Sequence, residues 1–129
     1  MVLVLVTDQM SCERLILAGR KLADQHKMTL EVANVARQGT EPDPAAIEYL
    51  YQVSREHDAV MTVEYCSDPE KSLVKKLKDQ KPAIVVTGLP GRGSSLLQRL
   101  WTRFEYISFH TVEADGAVNP VTPVKRALS

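Results

Sequence analysis

Cysteine is nearly absent from this chain. Cys12 and Cys66 are the only two in 129 residues, too few for a disulfide scaffold and without metal-type spacing. Cys12 falls near an expected helix N-terminus, where a thiol pKa can be lowered and a redox role becomes conceivable. A small half-buried residue is the plainer reading. The histidines His26, His57 and His110 share no short motif with one another or with a cysteine, which argues against a zinc site. An excess of one charge is also missing: 16 basic residues balance 16 acidic ones. No global field therefore recruits nucleic acid or an anionic membrane. No apolar run approaches the length of a membrane span. The opening Met1-Val-Leu-Val-Leu-Val6 lacks a basic n-region and stops at Thr7-Asp8, so it reads as a strand rather than a signal peptide. The cytoplasm is the expected compartment.

What remains is ordinary soluble composition, 44% hydrophobic and 25% charged, at a length that suggests one domain with a real core. Residues 2–6 form a continuous β-branched and Leu run, the mark of a strand buried on both faces. Ser11 is placed to cap a helix reaching about His26, with Glu13 in its first turn. Leu15, Ala18, Gly19, Leu22, Ala23 and His26 recur at helical spacing, while Arg14, Arg20, Lys21, Asp24 and Lys27 face out. A second strand spans 29–36. Asp43-Pro44 starts a second helix, an acceptor at the N-cap followed by a proline that needs no N–H. That helix carries Ile47, Leu50, Tyr51 and Ser54 inward and ends near His57-Asp58.

A third strand spans 59–65, and its Thr62 and Glu64 suit a sheet edge. Asp68-Pro69-Glu70 repeats the capping device for a third helix with an apolar stripe of Leu73, Val74 and Leu77. The lysines Lys71, Lys75, Lys76, Lys78 and Lys81 on its other side read as a solvated face, not as a nucleic-acid surface. Pro82 stops that helix, residues 83–86 form a fourth strand, and a fourth helix covers about 94–104. A fifth strand spans 106–113. Residues 1–113 thus form the domain, and 114–129 a proline-interrupted tail, mobile or draped on the surface. Strict alternation of strand and helix means an α/β protein with a parallel sheet, helices on both faces and right-handed crossovers.

Between the fourth strand and fourth helix lies Thr87-Gly-Leu-Pro-Gly-Arg-Gly-Ser-Ser95, with Gly88, Gly91 and Gly93 close together. Strand, glycine loop and helix can present backbone N–H groups to a phosphate. The plain alternative is a flexible connection that binds nothing. Gly88 and Gly93 have P-loop spacing, but Ser94 stands where the P-loop lysine belongs, and Arg92 between the glycines is not its equivalent. A dinucleotide fingerprint fails because Gly91-Arg92-Gly93 leads to Leu96. A G-x-S-x-G serine elbow is missing, and no Ser, His and acid group is suggested. In parallel α/β sheets ligands bind beyond the strand carboxyl ends where strand order reverses. Here Thr7-Asp8 and the segment 88–95 occupy two such ends.

These residues resemble the universal stress protein superfamily. The likeness rests on the Val-rich first strand ending in Asp8, on Gly88-x-x-Gly91 after strand four, and on element order across residues 2–113. The stretches Ser11-Cys-Glu-Arg-Leu-Ile-Leu-Ala-Gly-Arg and Ala46-Ile-Glu-Tyr-Leu-Tyr-Gln-Val are similar to the corresponding domain of potassium-sensing histidine kinases. The resemblance implies a three-layer, Rossmann-like open sheet of five parallel strands in the order 3-2-1-4-5. It implies dimers built through the last strand and helix, and ATP bound by G-x-x-G, nine residues, then G-(S/T). Gly88 to Gly91 match the first half. Counting onward lands on Trp101-Thr102, so tryptophan replaces the third glycine: either the indole obstructs the phosphates, or the register shifts and Gly93-Ser94-Ser95 takes that task. Thr7 and Asp8 carry over to the ribose and adenine side, and Val35 to backbone contact with adenine.

The leading expectation is a dimeric stress-protein-like regulator binding ATP or AMP through Thr7, Asp8, Val35, Gly88, Gly91, Arg92, Gly93, Ser94 and Ser95. Ser94 and Ser95 would add hydroxyls or reach Mg²⁺. No general base is evident, so ATP hydrolysis is expected to be slow or absent. The alternative is a nucleotide-independent interaction module with Tyr106, Ile107, Phe109 and Val112 at its interface, or in the plain sheet core. An enzyme of the adenine-nucleotide-hydrolase type is the third reading.

Overall fold

The computed structural model describes residues 1–90 and 95–122. Its first strand, β1 (Val2–Leu5), is apolar at every position because it lies mid-sheet with a core on each side. Val2 and Val4 enter one core with Ile16, Leu30, Leu50 and Val86. Leu3 enters the other with Leu77, Val85, Leu100, Trp101 and Phe109. A short 3-10 helix (Met10–Cys12) leads into α1 (Glu13–His26), followed by β2 (Leu30–Arg37) and α2 (Pro44–Glu56). Then come β3 (Ala59–Cys66), α3 (Pro69–Gln80), β4 (Ile84–Gly88), α4 (Leu96–Arg103), β5 (Ser108–Val112) and β6 (Val118–Pro120).

The sheet runs β3-β2-β1-β4-β5-β6. β1 pairs in parallel with β2, Val2 against Leu30, and with β4, Val2 against Ile84. The expected order 3-2-1-4-5 is therefore present. The sheet is not purely five-stranded and parallel, however. The first part of the expected tail turns back at Gly116, whose φ of +92° few L side chains adopt, and β6 joins β5 antiparallel with Val118 opposite Val112. Beyond it Val121 is buried and its N–H donates to the Phe109 carbonyl (2.8 Å). The expected edge position of β3 holds: Val60 is 64% exposed.

Capping follows the sequence at two helices. Asp43 accepts from Ala45 N (3.0 Å) and Ala46 N (3.3 Å), and Asp68 accepts from Lys71 N (3.2 Å), each with proline next. Ser11 does not cap α1. It sits inside the 3-10 helix, and Cys12 takes the N-cap without a side-chain hydrogen bond. Tyr51 is not inward either: the buried stripe of α2 is Ala46, Leu50, Val53 and Ser54, the i, i+4, i+7, i+8 pattern of one helical face. The buried Ser54 hydroxyl is satisfied by donating to the Leu50 carbonyl (2.8 Å). In α1 the fully buried Ile16 joins the core, whereas His26 at the last turn is exposed.

Two positions set measurable limits. Gly19 lets α1 close onto the sheet, because a Cβ there would stand 2.4 Å from Val4 Cγ2 and 3.0 Å from Leu30 Cδ1. Helix propensity favours alanine over glycine by about 1 kcal/mol, yet Gly19→Ala is expected to destabilise by about 1–3 kcal/mol through overpacking; urea unfolding checks the sign. His110 on β5 is half-buried, and its Nδ1 finds no hydrogen-bond partner. Burial chiefly lowers its pKa below the ordinary 6.5, a main-chain hydrogen bond at Ser108 opposes this, and nearby His26 adds to the lowering. The folded state thus resists protonation that the unfolded chain accepts. This contribution is complete above about pH 6.5 and is lost as pH falls from there through the lower folded value. His110→Gln is expected to flatten the pH dependence of thermal stability across that window.

Candidate functional site

Strand order reverses between β1 and β4, and their carboxyl ends open side by side. Val4 pairs with Val86 and Leu5 with Ala33. Continuing the register sets Gly88 level with Val6, and Val35 level with Thr7. Thr7, Asp8, Val35 and Gly88 therefore share one edge of the sheet. The exit of β1 is held from both directions: Val6 N–H donates to the Ala33 carbonyl (2.9 Å), and the Asn34 amide donates to the Val6 carbonyl (2.9 Å). Asn34 is buried, a polar residue among the apolar Val32, Ala33, Val35 and Ala36 of β2, and that interruption was a signal the sequence reading passed over.

Asp8 is half-buried and already has a partner. Its Oδ2 accepts from the Asp43 N–H at 2.8 Å, and Asp43 in turn caps α2. One carboxylate thus ties the end of β1 to the start of α2, and Oδ1 has no hydrogen-bond partner among the described residues. Thr7 is exposed, with Oγ1 3.4 Å from the Cys12 sulfur. Cys12 itself is buried, as its plainer reading supposed. Nearby, the Tyr49 hydroxyl donates to Glu13 (2.6 Å), and that hydrogen bond, with burial and the carboxylate's charge behind it, raises the phenol pKa. Glu13 is engaged there. Val35 is half-buried against the second core.

At the other strand end, Thr87 is buried and donates to the Gly88 carbonyl (2.9 Å). Gly88 does not use glycine's special backbone freedom: it is absent from the positive-φ residues. Among the described residues, a Cβ there would meet only Arg14 Nη2, at an ordinary 3.7 Å. Gly91, Arg92, Gly93 and Ser94 lie outside the described residues. Ser95 follows them, exposed, at the N-cap of α4. Its hydroxyl receives a hydrogen bond from the Arg99 guanidinium, whose Nε also donates to Glu70 on α3 (2.8 Å). Trp101 is well inside α4 and 3% exposed. Its indole belongs to the second core, and α4 begins at Leu96, two residues after the expected start.

Arg14 is the residue that sequence reasoning misplaced. It was assigned to the outward face of α1, yet its side chain folds back over the sheet end. Nε donates to the Glu113 carbonyl (3.0 Å) and Nη1 to the Ser11 carbonyl (2.7 Å). The proposed interface residues are also redistributed. Ile107, Phe109 and Val112 are at most 1% exposed and form core, whereas Tyr106 is 69% exposed. Alternation on β5 sends Phe109 and Val112 to opposite cores. Among the described residues, no three His, Cys, Asp or Glu side chains group closely enough to hold a metal ion. No described helix is long and apolar enough to cross a membrane.

A doubly wound sheet with its crevice at the β1/β4 reversal defines the class of protein. Comparison with solved structures narrows it. A universal stress protein family member from Burkholderia pseudomallei superposes with a TM-score of 0.59 at 16% identity, over 86% of this chain and 93% of that one. A universal stress protein from Archaeoglobus fulgidus superposes with a TM-score of 0.51, again at 16% identity, over 77% of this chain. This chain spans 36% of the Archaeoglobus chain. The fold is that of the universal stress proteins. Neither structure carries the narrower likeness to potassium-sensing kinase domains. No family model matches the sequence, and no curated protein does.

The Asp8 link has a direct consequence. Asp8→Ala removes the acceptor of the Asp43 N–H and is expected to cost about 1 kcal/mol of stability. Asp8→Asn, which keeps a side-chain oxygen, is expected to retain most of it, as compared by chemical denaturation.

Proposed function

We propose that the β1/β4 crevice binds an adenine nucleotide, ATP or AMP, and that the chain acts as a nucleotide-responsive regulatory protein of the stress-protein kind. The observation that carries this reading is the adjacency of β1 and β4, which sets Asp8 beside the entry to the glycine segment at the reversal of strand order. Asp8 Oδ1 would accept from ribose or adenine while Oδ2 keeps α2 in place, and Val35 would offer its main chain to the base. The N–H groups of residues 88–95 would hold phosphate, with Mg²⁺ arriving on the nucleotide. The burial of Trp101 in the core supports the reading, because the indole does not stand in the path of the phosphates.

A homodimer belongs to the same proposal. β5 is flanked by β4 and β6, so pairing of sheet edges between copies would use the outer edge of β3 or of β6.

The second reading is a nucleotide-independent interaction module. It is favoured by the prior engagement of the Asp8 carboxylate with Asp43 and by the exposed Tyr106 ring. A thermal melt with and without ~1 mM Mg-ATP separates the two, together with analysis of nucleotide released on denaturation. At a dissociation constant near ~10 μM the nucleotide is expected to stabilise the fold by about 2.7 kcal/mol, a shift of several degrees at this length. An unchanged melt and a nucleotide-free sample would move the function to the interaction module.

A further inference from the structure

We propose that Arg14 is a phosphate-binding residue of the crevice, an assignment that rests on the adenine-nucleotide reading above. The carboxyl end of a parallel sheet presents carbonyl oxygens, and here Asp8 adds a carboxylate. A polyphosphate held at such an edge needs a cation. Arg14 is the cation that the described structure brings there.

Its placement is specific. It lies in the first turn of α1, the end of a helix where a positive charge is disfavoured by the macrodipole. There it does not extend into solvent from the helix. The hydrogen bonds from Nε to Glu113 O (3.0 Å) and from Nη1 to Ser11 O (2.7 Å) fix the plane of the guanidinium between α1 and the end of β5. Both acceptors are main-chain carbonyls, so these bonds orient the group without neutralising its charge. The remaining arm, Nη2, stands on the Gly88 side, 3.7 Å from the position a Cβ would take. Residue 88 has no side chain, and beyond its chain neighbours no described atom other than Arg14 Nη2 comes within 4 Å of the position its Cβ would take.

A guanidinium held by two of its five N–H groups keeps three donors, and its planar fork matches phosphate oxygens better than an ammonium does. Gly88 acquires a reason here that its backbone conformation does not supply. A side chain at that position would occupy the approach to Nη2.

The test compares wild type, Arg14→Gln and Arg14→Lys by calorimetric titration with Mg-ATP and with adenosine, alongside ligand-free melts. Arg14→Gln is expected to weaken ATP about tenfold or more, the scale of one lost charge-assisted hydrogen bond. It should leave adenosine affinity unchanged and make the salt dependence of ATP binding shallower. Arg14→Lys, which keeps the charge without the fork, should fall between. If Arg14→Gln does not fold, a selective loss of ATP over adenosine in Arg14→Lys carries the same support. Equal ATP affinity in the variants and wild type, or an equal loss for ATP and adenosine, overturns the assignment while the nucleotide reading stands. Wild-type protein that binds neither ligand overturns both.

Discussion

The structure depends on one strand pairing with two neighbours while buried on both faces. β1 hydrogen-bonds to β2 on one side and β4 on the other, and its side chains divide between the two cores. Every other element is placed relative to it. α1 returns over the first core close enough that Gly19 admits no side chain. The reversal of strand order at β1 opens the crevice at its carboxyl end. Apolar burial on both faces of a strand is the large stabilising term, and the mid-sheet place it gives β1 puts the crevice at that strand's carboxyl end.

At that edge, the groups assigned to the proposed nucleotide site already carry structural links. Asp8 holds the start of α2, Arg14 ties α1 to the end of β5, and Asn34 anchors the exit of β1. Such links place side chains at the rim of the crevice with restricted freedom, which lowers the ordering cost that a ligand must otherwise meet. Under the proposed function, substitutions here would act on stability and on binding together. The two effects separate only when ligand-free and ligand-bound measurements are compared. On the opposite side of the sheet end, Arg99 joins Glu70 and Ser95, so α4 is braced against α3 where the glycine segment re-enters the helical layer.

The sheet's far edge follows a different constraint. β5 would otherwise present an unpaired row of main-chain groups, an invitation to pair with another chain. β6 covers that row within the same molecule, and the Val121 N–H carries the contact one residue further, to the Phe109 carbonyl. The residues that look like an apolar docking strip in the sequence are thereby divided between two cores, with Tyr106 alone left at the surface.

The order of the first five strands and four helices, the edge character of β3 and the Asp-Pro caps of α2 and α3 were legible in the sequence; β6, inside the expected tail, was not. Each legible feature depends on local chemistry: β-branched runs, a carboxylate at an N-cap, polar residues alternating on a strand. The strand order 3-2-1-4-5 came from resemblance, because periodicity does not encode which strands are neighbours. Sequence reasoning failed where the answer depends on distant partners. Ser11 has the chemistry of a cap, yet the 3-10 helix before α1 takes it out of position. Tyr51 and Val53 compete for the inward face of α2, and only packing on the sheet chooses Val53. Trp101 looks like an obstruction when residues are counted along a motif, and becomes core once the start of α4 is known. Arg14 reads as a solvated surface cation until Glu113, 99 residues away in the chain, supplies the carbonyl that turns it inward. Local pattern determined the first five strands and the four helices, whereas β6 and the meeting of side chains at the crevice were decided by contacts that only the tertiary structure supplies.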